Sequence, residues 1–295
     1  MRPEWLRRKE PGSARAIKSI VWTALSLGRS VARLFLPLGC LYFLALSPAS
    51  RRASRHYLGR ALGRRATLVD IFRHHFTFGS CVLDRVFFLA DRLEDFEIRI
   101  FGEPALLDVL SVGAGCILLG AHIGSFEVLR SVGRGRSGPA VKMMMFEENA
   151  QKITSVLNAI NPELAKDVIS LGRANSFITV QRSLKNGELV GILADRSLSD
   201  ERHTVHPFLG APARFSTNPF RMMAVLQTPV VLMFGLYRGG NRYDIHFELF
   251  SKPEQPPRRP SAIEIDATVG RYVARLEHYC RIAPYNWFNF YDIWK

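Results

Sequence analysis

Acidic residues are nearly missing from the first 65 positions, where 14 Arg or Lys stand against only Glu4 and Glu10. Residues 66–295 are close to balanced, with 26 basic and 24 acidic groups. The net charge of +14 therefore belongs to the amino-terminal segment and not to the body. Cysteine is scarce as well. Cys40, Cys81, Cys116 and Cys280 lie far apart in apolar surroundings, with no pair at the two-residue spacing of a zinc site. They read as packed free thiols, the usual state in a reducing compartment, although sequence leaves a disulfide open. Long uncharged runs are few. Leu34–Ser50 holds 17 residues without a charge, the short limit for crossing a hydrocarbon core of roughly 30 Å, and Pro37 and Pro48 shorten it. What is present is enough for a sizeable core. With 295 residues, 47% apolar and 22% charged, the chain is an ordered globular protein, one large domain or a main domain with an appendage.

The basic groups have a place as well as a number. Arg51, Arg52, Arg55, Arg60, Arg64 and Arg65 follow the apolar run, and Trp22 and Tyr42 are residues that sit at a headgroup boundary. An anionic cytoplasmic leaflet attracts such a cluster at about 1 kcal/mol per residue near its surface. Residues 1–65 are thus expected to form a membrane-associated segment, a short span or an interfacial helix, preceding a domain at 66–295. A helical hairpin packed on a soluble body and a cleaved signal are the alternatives. The charge is not interleaved with aromatics as in a nucleic-acid reading surface, so the expected partner is lipid and no nucleic acid.

Along the body, apolar runs alternate with helical periodicity. Residues 66–93 carry a broad apolar stripe at steps of three and four. Strands are predicted at 116–121, 139–145, 168–170, 188–194, 229–236 and 243–249. Helices are predicted from about Ser125 and at 147–160, 176–185, 218–226 and 263–281, and residues 251–261 with four prolines read as a linker. Such alternation implies an α/β fold with a central, mostly parallel sheet and helices on both faces, in which reactive groups sit at the carboxyl ends of strands.

Several motifs could carry chemistry at such ends. The run Cys116–Gly120 leads through Ala121 to His122, and Glu127 follows five positions later at a strand-to-helix junction, with Gly120, Ala121 and Gly124 small enough to admit a substrate. A neutral imidazole held in one tautomer by a carboxylate can take a proton from a hydroxyl. Gly191–Ala194 delivers Asp195 and Arg196 side by side. His206–Thr217 reads as a proline-pinned loop ending in hydroxyls that cap the helix from Asn218. The aromatic stretch Pro284–Trp294 is expected to pack on the core or on lipid. Met143, Met144, Met145 and Phe146 suit either an acyl pocket or an ordinary core strand. His203 and His206 beside Asp200 and Glu201 raise a metal hydrolase as a rival, but the segment reads as a loop lacking a third ligand, so no metal is expected. The other histidines (His56, His74, His75, His246, His278) read as scattered surface or helix residues.

In order and spacing these motifs resemble the bacterial lipid A late acyltransferase family, related to the wider lysophospholipid acyltransferases. The resemblance runs over most of the chain: the apolar anchor with basic flanks, the His122/Glu127 pair, the Gly172-Arg173 segment, Asp195, the Pro-Phe-Leu-Gly-Ala-Pro-Ala block with Thr217, and the aromatic ending. Arg196 and Asp292 stand where family members usually carry another polar residue and a cation. The resemblance implies that a fatty acyl chain moves from a thioester on acyl carrier protein or coenzyme A to a hydroxyl of a lipid or glycolipid, with no cofactor. It implies His122 as base, Glu127 as its partner, and Gly124, Arg173, Asp195, Arg196 and Thr217 in substrate binding. The expected location is the inner membrane with the catalytic domain on the cytoplasmic side. A membrane lipid-binding protein that keeps the fold without catalysis is the alternative.

Overall fold

The computed structural model describes residues 22–111, 113, 115–135, 138–146, 160–171, 175–196, 202–253 and 260–295. Residues 22–27 are helical, and α1 (Arg29–Leu46), α2 (Pro48–Ala61) and α3 (Leu68–Leu89) follow. The start of α3 is fixed by a capping box, in which Thr67 accepts from the Asp70 N–H and the Asp70 carboxylate accepts from the Thr67 N–H. The body follows as β1 (Glu97–Phe101), α4 (Glu103–Leu110), β2 (Cys116–Gly120), α5 (Glu127–Gly135), β3 (Val141–Phe146), β4 (Val168–Leu171), α6 (Ser176–Lys185) and β5 (Leu189–Leu193). It closes with β6 (His203–Phe208), β7 (Ala211–Ser216), α7 (Asn218–Leu226), β8 (Val230–Gly239), β9 (Arg242–Ser251) and α8 (Ala262–Ile282).

The main sheet has the order β1-β9-β8-β2-β5-β3-β4. Pairing is parallel throughout except between β8 and β9, which form an antiparallel hairpin. β2 lies in the middle and all five of its residues are buried, as a strand covered on both faces requires. Alternation then splits its residues between two cores. Ile117 and Leu119 join Leu232 and Phe234 under α8, with Val269, Tyr272, Val273 and Leu276. Cys116 and Leu118 join Val231 and Met233 under Phe87 and Phe88 of α3 and Val128 and Leu129 of α5. The α/β class, the mostly parallel sheet and the helices on both faces agree with the sequence pattern.

One expectation changes. The stretch read as a proline-pinned loop is a two-stranded antiparallel ribbon, β6 on β7, with Pro207 opposite Pro212. Proline is tolerated there because neither strand has a further neighbour needing its N–H. Leu209 and Gly210 turn the ribbon with positive φ at both positions, which matches the twist of the flanking strands. His203 and His206 accordingly lie on a strand. Of the helix expected at 147–160, only Ile160 is among the described residues. All four cysteines are free and buried.

Candidate active site

The parallel register of β2 on β5 pairs Cys116 with Leu189 and Gly120 with Leu193, an offset of 73 positions. Carried two residues past the strand ends, the same offset sets His122 against Asp195. The His122 Nδ1–H donates to Asp195 Oδ1 at 2.8 Å, and the His122 backbone N–H donates to Oδ2 at 3.1 Å. A carboxylate can only accept, so Nδ1 carries the proton and Nε2 is the basic nitrogen. The imidazole is 28% exposed and the Asp195 side chain is fully buried. Burial lowers the His122 pKa below its ordinary value and the Arg196 cation adds to that, while Asp195 opposes both. The ring is therefore neutral at neutral pH. Burial alone would raise the Asp195 carboxyl, but the contacts with His122, Arg196 and Trp287 outweigh it and bring it to about 2. A permanently ionised carboxylate thus sits behind a neutral imidazole.

A third group completes the arrangement. The Trp287 indole N–H donates to Asp195 Oδ2 at 2.8 Å, so this oxygen accepts from two directions and Oδ1 faces the imidazole. The carboxyl-terminal segment brings it there. The Phe288 N–H donates to the His122 carbonyl at 2.7 Å, and the Gly124 N–H donates to the Asn286 carbonyl at 2.8 Å. Asn286 also grips β8, accepting from the Tyr237 N–H and donating to its carbonyl. From behind, the His74 Nε2–H donates to the Trp287 carbonyl at 2.8 Å while Ser54 donates to His74 Nδ1. Burial holds the His74 pKa down at about 3, with neighbouring His75 adding to it and the Trp287 carbonyl opposing. Tyr272 of α8 donates to the Gly120 carbonyl at 2.9 Å at the end of β2.

Glu127 does not stand behind the imidazole. The pairing of His122 with Glu127 is corrected by the geometry, because the Nδ1–H is taken by Asp195. The Glu127 carboxylate faces the other way. It accepts from Arg130 at 3.0 and 3.4 Å, one turn further along α5, and lies 3.5 Å from Arg85 of α3. Arg130 is itself buried and reaches Asp167 at 3.2 Å. Helical spacing of three residues makes Glu127 and Arg130 neighbours.

Gly124 sits in the turn after β2. Its small size is required by the protein's own backbone. With φ of +59°, a Cβ there would stand 1.9 Å from the Gly235 carbonyl oxygen, because the turn after β2 is pressed against β8. The N–H groups of Ile123, Gly124 and Ser125 donate to Ala121, Asn286 and Gly235 respectively. Arg196 is brought to the site, its guanidinium donating to the Phe288 carbonyl and to Asn289 at 3.1 and 3.2 Å while its charge acts on His122. Thr217 heads α7 but makes no cap bond there; its hydroxyl donates to the Arg202 carbonyl at 3.2 Å. Arg173 lies outside the described residues.

The structure thus brings His122, Asp195 and Arg196 together, and adds Trp287, Asn286 and Tyr272, which the sequence reading passed over. Asn286-Trp287 was visible only as part of an aromatic ending; a polar residue beside each ring was the available signal. His74 and His75, read as scattered, are buried and hydrogen-bonded on both ring nitrogens. Among curated proteins no relative matches the chain. The model of the bacterial lipid A biosynthesis acyltransferases matches residues 20–295, a range that takes in α1, the sheet and every group of this site, and the chain belongs to that family.

Proposed function

We propose that the protein is a membrane-associated O-acyltransferase that moves a fatty acyl chain from a thioester donor to a hydroxyl of a lipid or glycolipid acceptor. The observation that carries this reading is the His122–Asp195–Trp287 chain at the end of the central strand. His122 Nε2 takes the acceptor hydroxyl proton as the oxygen attacks the thioester carbonyl. Asp195 holds the tautomer and stabilises the imidazolium that forms, and the imidazolium then protonates the departing thiolate. General-base assistance of this kind contributes about 10²–10⁴ in rate. The tetrahedral oxyanion needs donors, and the backbone N–H groups at 123–125 are already engaged. Arg196, held by its bonds to Phe288 and Asn289, is the cation beside the base and stabilises that charge through its field, with Arg173 as a second cation assigned by the family resemblance.

Acyl carrier protein or coenzyme A carries the donor. The excess of basic residues in positions 1–65 supports steering of an acidic carrier. Donors of this kind are cytoplasmic, so the reading sets the catalytic domain on the cytoplasmic side of the inner membrane. The test mixes purified, detergent-extracted protein with a radiolabelled acyl carrier protein thioester, or acyl-coenzyme A, and a bacterial lipid extract. Label is expected on a lipid with wild type and not with His122→Ala, and mass analysis of that lipid names the acceptor. Label that stays on both donors under every lipid condition overturns the acyltransferase reading and favours a lipid-binding protein.

A further inference from the structure

Helix α1 is built inside out. Leu34, Phe35, Leu38, Leu41, Tyr42 and Leu46 are all more than half exposed, with Leu34 at 73%. Its charged residues face inward. Arg29 donates to both oxygens of the buried Asp84 on α3 at 2.8 and 2.9 Å. Arg33 donates to the Tyr237 hydroxyl at 2.9 Å, and both arginines donate to the Gly240 carbonyl at the β8–β9 turn. A helix folded for water turns leucines in and arginines out. The reverse is stable only where the outer medium is apolar.

The helix is also attached along its length. Running antiparallel to α3, it meets Asp84 through Arg29, Gly79 through Leu36 and the His75 carbonyl through the Cys40 thiol at 3.7 Å. A helix crossing the bilayer alone would have lipid on every side and would carry Arg29 and Arg33 in hydrocarbon, which is costly. Here α3 covers one flank, and α3 itself bears Asp70, Arg73, Asp84 and Arg85, so the pair cannot cross together. Charge points to the occupant of the open flank. From Pro11 to Val69 there is no acidic residue, and Arg52 and Arg55 are exposed on α2 directly after α1.

We propose that α1 lies in the plane of an anionic lipid membrane, its outer flank in the acyl layer and its inner flank on the catalytic body, without crossing the bilayer. This rests on the membrane association of the proposed function and specifies its geometry. It also fixes where the reaction occurs. Phe78 of α3 packs on Phe288 and Phe290 at 5.2 and 5.3 Å between ring centres, and the Phe288 N–H is bound to the His122 carbonyl. One layer of side chains separates the membrane-facing helix pair from the segment that holds the base, so an acceptor reaches His122 from the membrane surface.

The test fuses a sidedness reporter, active on only one side of the membrane, to either end of the full chain in a bacterial host, with fractionation alongside. Both ends are expected on the cytoplasmic side. Ends on opposite sides overturn the in-plane geometry while leaving membrane association standing; wild type wholly in the soluble fraction overturns membrane association itself. The triple variant Leu34→Glu, Leu38→Glu, Leu41→Glu is expected to leave the membrane with an unchanged circular dichroism spectrum and melting temperature. Its transfer to acceptor in vesicles falls more than transfer to detergent-dispersed acceptor, and an equal fall in both overturns the proposal. Should that variant misfold, Arg52→Ala and Arg55→Ala serve, each expected to weaken binding to phosphatidylglycerol vesicles about fivefold and binding to neutral vesicles hardly at all. Equal binding to both vesicle types overturns the anionic partner.

Discussion

Two buried carboxylates flank the turn after β2, and they do different work. Asp195 faces a neutral imidazole and an indole N–H; Glu127 faces one fully buried guanidinium and the edge of a second. Asp195 can therefore set the state of a proton on the imidazole, whereas Glu127 is committed to a permanent cation and ties α5 to Arg85 of α3. The contrast shows that nearness in sequence does not decide which acid serves a base. Glu127 is five residues from His122 and Asp195 is 73, yet a helix starting at Glu127 turns that side chain toward its own next turn.

The comparison can be broken by exchanging each acid for its amide. Asp195→Asn is expected to lower kcat by about 10²–10⁴ with little loss of melting temperature, since an amide can present its N–H and favour the wrong tautomer. Glu127→Gln should act first on stability, by about 1–3 kcal/mol, because it takes one of two carboxylates from the buried Arg130 and leaves it Asp167 alone. Chemical denaturation measures this, and the pH profile of the activity that survives should not move. If Glu127→Gln moves that profile and Asp195→Asn does not, the two assignments are reversed.

Trp287→Phe sharpens the same contrast from the side of Asp195. Without the indole N–H the carboxylate becomes more basic and holds the imidazolium more strongly. The acid limb of kcat/KM, which in wild type lies below the ordinary histidine value of about 6.5 because His122 is lowered, should shift to higher pH. A rate loss of about tenfold is expected at neutral pH from one missing hydrogen bond to a charged group. A merely structural role for Trp287 would lower melting temperature and leave the limb in place. The smallest effect belongs to Thr217→Val, which removes one hydrogen bond to the Arg202 carbonyl: about 1 kcal/mol of stability and no change in kcat.

Much of the architecture was legible because it is local. The helices at Ser176–Lys185 and Asn218–Leu226 match their sequence boundaries, being delimited by Asn186-Gly187 in one case and by Thr217 with Pro219 in the other. His122 and Asp195 were both legible as strand-end groups. Their partnership was not, because it depends on which strands are neighbours. Nothing in the run Gly191–Ala194 says that β5 lies beside β2, while β3, nearer in the chain to β2, lies beyond β5. The misreading of Glu127 has the same origin, a local spacing used for a contact that the sheet register decides. Trp287 was hidden for a different reason: its indole acts on Asp195 across 92 positions, and an aromatic-rich ending looks the same whether it packs on a core or completes a site.

The late arrival of that ending has a consequence for how the protein is made. His74 binds a carbonyl 213 positions further on, and at 5–20 residues per second the ribosome needs about 10–40 s to travel from one to the other. During that interval the strand carrying His122 can pair with its neighbours, but the Asp195 carboxylate still lacks its indole and the Gly124 turn still lacks Asn286. The site is therefore closed late in folding, when Asn286 docks on Tyr237 and the Trp287 indole reaches Asp195, well after the strand that carries His122 has left the ribosome.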